Sequence, residues 1–158
     1  MPARTDDSST LSEAQLCEIN GVSQQYRQAL VRRNLIRRAP TGGCTLMDAL
    51  ELAAIIALSE VLPTGDVPLA VDQLTGLLGS AVPGNRFDVV YDRQYKRLDV
   101  ARDDEELREM VVHGRPVSVV VLAERLAEIG DAFRRVAGPR RGRRSGSSKR
   151  GRHANQQQ

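Results

Sequence analysis

Apolar residues recur at helical spacing in six segments of the chain and at strand-like spacing in three. The predicted helices are Glu13–Ile19, Ser23 to Ile36, Leu46 to about Leu62, Val67–Leu78, Asp103–His113 and about Leu122–Val136. The predicted strands are Arg86–Tyr91, Arg97–Ala101 and Val117–Val121. The second half therefore ends in a ββαβα unit. Val117–Val121 is nearly continuous β-branched sequence, which predicts a strand covered on both faces.

Residues suited to helix ends mark the boundaries of the first helices. Ser12, Ser23 and Thr45 can each cap a helix N-terminus, and Asn20-Gly21 tolerates the positive φ that ends a helix. Between residues 23 and 36 the apolar stripe runs through Val22, Tyr26 and Leu30. This stripe turns four polar side chains outward, namely Gln24, Gln25, Gln28 and Arg32.

These elements predict an α+β protein in four parts. Residues 1–10 are polar and are expected to be disordered, and residues 11–62 form a mostly helical N-terminal domain. Residues 63–137 form a small α/β domain that dimerises or binds an effector. Residues 138–158 are dominated by Gly, Ser, Arg and Gln, so a disordered basic tail is expected there.

The charge of the chain is unevenly distributed. Of its 23 basic residues seven lie after Ala137, while all 20 acidic residues precede it, so the net charge of +3 becomes −4 without the tail. Five arginines nevertheless lie between Glu18 and Asp48 with no acid among them, at positions 27, 32, 33, 37 and 38. Clustered guanidinium groups favour phosphates. Aromatic residues make up only 3% of the chain, which argues against stacking on single-stranded bases and favours duplex DNA.

The order of these features resembles the winged helix-turn-helix DNA-binding domain of the MerR family of bacterial transcription regulators. The resemblance covers Leu11 to about Leu62. It consists of a helix, the Gly21-Val22-Ser23 turn, a second helix ending in Arg32-Arg33-Asn34-Leu35-Ile36, a wing containing Gly42-Gly43, and a third helix opened by Thr45-Leu46-Met47-Asp48. The region beyond it is similar to the effector-side domain of an actinobacterial branch of that family.

The resemblance implies a homodimer whose second helix enters the major groove of double-stranded DNA while the wing follows the backbone. The DNA-binding residues it implies are Ser23, Gln24, Gln25, Arg27, Gln28, Arg32, Arg37, Arg38, Thr41 and Gly42. Arg27 departs from the family, which usually places an aliphatic core residue there. Either Tyr26 fills that position through a slight rotation of the helix, or the helix is set differently. The family's long coiled coil is also absent, so dimerisation is assigned to the Leu126/Ile129/Phe133 face.

The tail is expected to add non-specific attraction to DNA phosphates through Arg140, Arg141, Arg143, Arg144, Lys149, Arg150 and Arg152. Arg141-Gly142-Arg143 resembles the core of a minor-groove AT-hook, but Arg144 replaces the proline that normally follows. The non-specific interpretation is therefore favoured. RNA binding by the tail is left open.

The sequence holds few residues that indicate catalysis or the binding of a metal or cofactor. His113 and His153 are the only histidines, and no phosphate-binding glycine loop is present, so we expect no enzyme, no metal and no cofactor. Cys17 and Cys44 lack CxxC spacing and are expected to be reduced thiols of a cytoplasmic, nucleoid-associated protein, with a thiol sensor as the alternative. No apolar run reaches the roughly 18 residues that a membrane span needs.

The sequence thus predicts a sequence-specific, dimeric DNA-binding transcription regulator, with RNA polymerase or a small-molecule effector as further partners. The alternative is an architectural DNA-binding protein, excisionase-like or nucleoid-associated, that bends or coats DNA. A third possibility is a protein-interaction module that no longer binds DNA.

Overall fold

The computed structural model describes residues 9–39, 41–81, 85–111 and 116–138, and it is a mixed α+β fold. The helices within these ranges are α1 (Glu13–Asn20), α2 (Gln24–Arg32), α3 (Leu46–Val61), α4 (Val67–Leu78), α5 (Asp104–Val111) and α6 (Ala123–Ala137). The strands are β1 (Asp88–Asp92), β2 (Arg97–Ala101) and β3 (Val117–Val121). Every predicted element is confirmed in type, although the predicted end of the helix at Asp103–His113 lies outside the described residues.

The predicted caps set the ends of α1 and α2. The hydroxyl of Ser12 accepts from the amide of Gln15, whose side chain returns a bond to the Ser12 amide, so a full capping box opens α1. Gly21, at φ 68°, ends α1 in the left-handed conformation. Only Val22 and Ser23 then separate it from α2, and the hydroxyl of Ser23 accepts from the amide of Tyr26. The result is a tight helix-turn-helix connection.

Helix α3 is the central element of the fold. Thr45 and Asp48 form its capping box, with Asp48 Oδ2 2.7 Å from the Thr45 amide nitrogen. Its apolar residues occur on nearly all sides, and the buried ones are Ala49, Leu52, Ala53, Ala54, Ile55, Ile56 and Leu58. Such a helix needs neighbours on several faces, and α1, α4, α6 and β3 supply them.

The sheet is antiparallel, with strand order β2-β1-β3. The central strand β1 is buried on both faces, including Asp88, whose side chain is only 1% exposed. Gln73 of α4 ties β2 to the helical layer, because its amide donates to the carbonyl of Lys96 and its carbonyl accepts from the amide of Leu98. At the opposite edge Val121 of β3 is 66% exposed, so the prediction that β3 is covered on both faces is wrong.

One hydrophobic core runs across the predicted domain boundary at residues 62 and 63. Helix α6 packs on α3 and on α1, and α3 also packs on α4. Residues from both predicted domains, such as Leu16, Leu52, Leu74 and Phe133, belong to the same buried cluster. The helix-turn-helix is therefore fixed directly to the ββαβα unit.

The segment predicted as a wing returns to the start of α1. The amide of Leu11 donates to the carbonyl of Cys44 at 2.9 Å, and the amide of Cys44 donates to the carbonyl of Leu11 at 2.7 Å. Over the described part of 33–45 the chain forms turns and this single bridge, without a two-stranded hairpin. Within the described ranges no helix has the length and apolar composition required to cross a bilayer.

Candidate nucleic-acid interface

One face of α2 is polar and exposed. Gln24, Gln25, Gln28 and Arg32 all project from it, as the sequence predicts. At 100° per residue these four positions fall within a sector of roughly 100°, opposite the buried Leu30. The helix thus presents a continuous strip of three amides and one guanidinium. Ser23 lies at the start of this strip, where its hydroxyl already accepts the capping bond from Tyr26.

Arg27 does not belong to that face, and its assignment as a DNA contact needs correction. Its side chain is 5% exposed and lies between α1 and the chain that follows α2. Nη1 lies 2.6 Å from Oε1 of Glu13, and Nη2 donates to the carbonyl of Arg37 at 3.2 Å. Arg27 therefore links α1, α2 and the loop carrying the other arginines, and its guanidinium is engaged within the protein.

The orientation of α2 explains this result. Arg27 and Leu30, three residues apart, face the core, whereas the predicted stripe pairs Tyr26 with Leu30, four residues apart. Tyr26 is 37% exposed, so the interpretation in which Tyr26 fills the aliphatic position is wrong. Arg27 fills that position itself. Its side chain is buried there, and Glu13 balances its charge.

The loop following α2 carries further exposed basic side chains. Arg33, Arg37 and Arg38 are exposed, and among the described residues none of their guanidinium groups, nor that of Arg32, has a hydrogen-bond or ion-pair partner. Gln28, Arg32 and Arg38 border a concavity of about 380 Å³ whose floor includes Arg27 and Glu13. This concavity, together with the exposed face of α2, is called the basic surface below.

Thr41 and Gly42 lie in an exposed turn beyond Arg38. At the next residue, Gly43, the backbone conformation requires a glycine. Its φ is 96°, and a Cβ there would come within 2.8 Å of the Thr10 side chain. At Gly42 a Cβ would meet nothing within 4 Å. Gly43 therefore holds the turn against residues 10 and 11, so that Thr41 and Gly42 project at its tip.

Acidic residues limit the basic surface on the side of α3. A second concavity, between the loop and helices α3 and α4, is bordered by three arginines, Arg32, Arg37 and Arg38, and by three acids, Asp48, Glu51 and Asp72. Burial raises the pKa of Glu51, the charge of Asp48 raises it further, and Arg37 acts in the opposite direction. These three acids oppose an anion, so the first concavity, whose single acid Glu13 is paired with Arg27, suits a phosphate better.

The predicted dimerisation face is engaged within the chain. Leu126, Ile129 and Phe133 are buried in the same core as α1 and α3. Assigning them to a dimer interface is therefore a second correction, because all three side chains are at most 8% exposed and pack inside this chain. The predicted tail contacts, Arg140, Arg141, Arg143, Arg144, Lys149, Arg150 and Arg152, lie outside the described residues.

Both cysteines are buried, and burial raises the pKa of each thiol despite the lowering effect of the nearby Arg27 charge. Such thiols are poor nucleophiles, which disfavours the sensor interpretation. Across the described part of the chain, no cluster of three or more histidine, cysteine or acidic side chains has a geometry that could hold a metal ion.

Several polar residues that organise the site lack a local sequence signal. Glu13 is the ion-pair partner of Arg27, and the Asn20 amide donates to the carbonyls of Leu16 and, at 3.5 Å, of Ala49, which joins α1 to α3. Just before β1, Arg86 binds both Asp88 of β1 and Asp104 of α5. The only indication in the sequence that Glu13 pairs with Arg27 is that it is an acid 14 residues before an arginine that faces the core.

Comparison with known proteins finds no protein-family model that matches the chain, and no curated protein with significant similarity to it. The class of the protein is therefore argued from its own geometry.

Proposed function

We propose that this protein is a sequence-specific DNA-binding transcription regulator of MerR-like type, acting as a dimer on double-stranded DNA. The observation that carries the proposal is the exposed face of α2, where Gln24, Gln25 and Gln28 lie beside Arg32 on the second helix of a helix-turn-helix. Glutamine amides can bind adenine through two hydrogen bonds in the major groove, and each such contact is worth about 1–3 kcal/mol of discrimination.

The arginines around α2 support the same orientation. Arg32, Arg33, Arg37 and Arg38 are exposed, and within the described ranges none of them forms an ion pair. The charge of Arg37 acts on Glu51, so Arg32, Arg33 and Arg38 are the most available to phosphates. Phosphate contacts of this kind fix the position of a recognition helix without reading sequence. The loop with Thr41 and Gly42 is assigned the role of a wing that lies along the backbone. Dimerisation uses a surface other than the buried Leu126/Ile129/Phe133 face.

The proposal is tested with the full chain by fluorescence anisotropy, using a duplex selected from a random pool and an unrelated duplex. Changing Gln25 and Gln28 together to Ala removes two base contacts, so affinity for the selected duplex should fall at least tenfold more than affinity for the unrelated one. Arg38→Ala should weaken both equally and reduce the slope of log affinity against log salt by about 1.

Two exposed residues outside the basic surface provide matched controls. Gln94 lies in the turn between β1 and β2, and Arg97 pairs with Asp99 on β2. Gln94→Ala and Arg97→Ala should leave both affinities unchanged. If the glutamine double variant lowers both affinities equally, α2 does not read bases. If neither duplex is bound with salt dependence, the protein is an interaction module instead.

A further inference from the structure

An apolar cavity lies on the other side of α3 from the three acids of the second concavity, between α3, α6 and the residues before β1. Its volume is about 370 Å³, and its walls include Leu46, Leu50, Phe87, Leu126 and Gly130. Pockets of about 300–1,000 Å³ with mainly apolar walls and a few polar groups are typical of small-molecule sites. None of these side chains belongs to the basic surface.

Gly130 forms part of the α6 wall of this cavity. It lies inside α6, where glycine costs about 1 kcal/mol relative to alanine. A Cβ at Gly130 would meet only the guanidinium nitrogens of Arg134, at 3.8 and 3.9 Å, which is ordinary contact with a flexible side chain. Close packing therefore does not require a glycine here. The Arg134 guanidinium lies over the position of the missing side chain, and Ala123 and Ala127 continue the same wall with small side chains.

Arg134 supplies a polar group at this wall. Its Nη1 donates to Asp131 Oδ1 at 2.9 Å, and both side chains are more than half exposed. In the described part of the chain, Nε and Nη2 of Arg134 have no partner, and Nη2 would lie 3.8 Å from a Cβ at Gly130, at the cavity wall. A guanidinium with unused donors beside an apolar cavity matches the two oxygens of a carboxylate.

We propose that this cavity is a binding site for a small aromatic carboxylate. The ring system lies between Leu50, Phe87 and Gly130, and the carboxylate binds the free donors of Arg134. Asp131 holds the guanidinium at the cavity wall by its single bond to Nη1. The site and its ligand are independent of DNA binding, so either proposal can fail without the other.

Isothermal titration calorimetry of the full chain tests the site with two probes of equal shape, 2-naphthoate and its neutral amide, 2-naphthamide. The unmodified protein should bind one naphthoate, at least fivefold more tightly than the amide. Gly130→Leu, which fills the cavity, should weaken naphthoate binding more than tenfold, whereas Gly130→Ala should retain it. Arg134→Gln should remove the preference for the acid, and Arg135→Gln, on the same helix but outside the cavity, should preserve it.

Circular dichroism checks that each variant is folded. If Gly130→Leu does not fold, Ala127→Leu blocks the same wall from three residues earlier. Naphthoate binding that persists in a folded blocking variant would overturn the proposal, as would the absence of binding to the unmodified protein at millimolar probe. Equal binding of the acid and the amide would also overturn it, because Arg134 would then contribute nothing.

Discussion

Glu13 and Arg27 form a buried ion pair whose two members should tolerate substitution very differently. The Arg27 side chain is 5% exposed and that of Glu13 is 33% exposed. Glu13→Gln keeps the size of the side chain but removes the negative charge that pairs with the buried guanidinium. Arg27 is then left with neutral acceptors alone, and its Nε already lacks a partner. Removing one partner of a buried pair costs roughly 3–5 kcal/mol. The partial exposure of this pair reduces our expectation to about 2–3 kcal/mol.

Arg27→Met should cost far less. Methionine has a similar length and supplies the aliphatic side chain that this core position favours. The side chain of Glu13 is 33% exposed, so water can hydrate its carboxylate when Arg27 is absent. Exchanging a buried charge for a well-packed apolar side chain is often neutral or stabilising. We expect a change within about 1 kcal/mol, and the double variant should be close to Arg27→Met alone.

Urea unfolding followed by circular dichroism measures these differences as shifts of the midpoint at constant slope. For the 122 residues that the structure describes, a loss of 2–3 kcal/mol also lowers Tm by roughly 8–12 °C. The matched control is Glu18→Gln, an exposed acid on the same helix, which should change little. The reasoning is refuted if Arg27→Met costs more than Glu13→Gln, or if the double variant is the least stable of the three.

Three further predictions concern the loop, Glu51 and the thiols. Gly43→Ala should destabilise the protein by about 2–3 kcal/mol because of its φ of 96° and the nearby Thr10 side chain, while Gly42→Ala should change stability by less than about 1 kcal/mol; equal urea midpoints would contradict this. Because the pKa of Glu51 is raised in the folded protein, the protein gains stability as pH falls through that pKa, and this gain is complete below the ordinary glutamate pKa of roughly 4.3. Glu51→Gln should therefore be more stable than the unmodified protein at pH 7 and equally stable below about pH 4. A difference between their urea midpoints that persists at low pH would count against this. Cys17 and Cys44 should react with Ellman's reagent at least a hundredfold more slowly in the native protein than in urea, and rapid labelling of either native thiol would contradict their burial.

The features predictable from sequence are those that depend on a few neighbouring residues. Ser12, Ser23 and Thr45 cap helices through bonds to amides three positions away, and Gly21 ends α1 through its own φ. The outward face of α2 also follows from helical spacing. Such contacts are local, so their partners lie within one turn of the residue that signals them.

The features that could not be predicted depend on distant partners. Spacing alone allows either Tyr26 or Arg27 to face the core beside Leu30, and Glu13 decides the choice from another helix. The apolar stripe of α6 similarly predicts burial but not its partner. The sequence assigned Leu126 and Phe133 to a contact with a second copy of the chain. In the structure they pack against this chain's own α1 and α3.

Binding-site selection from a random pool of duplexes, performed with the full chain, tests the central proposal most directly. A dimer that reads bases through Gln24, Gln25 and Gln28 should enrich a site with two-fold symmetric halves separated by about one helical turn or a multiple of it, each half containing adenine at the contacted positions. Enrichment of no sequence, or of A·T-rich DNA without symmetry, would contradict the account and favour an architectural role.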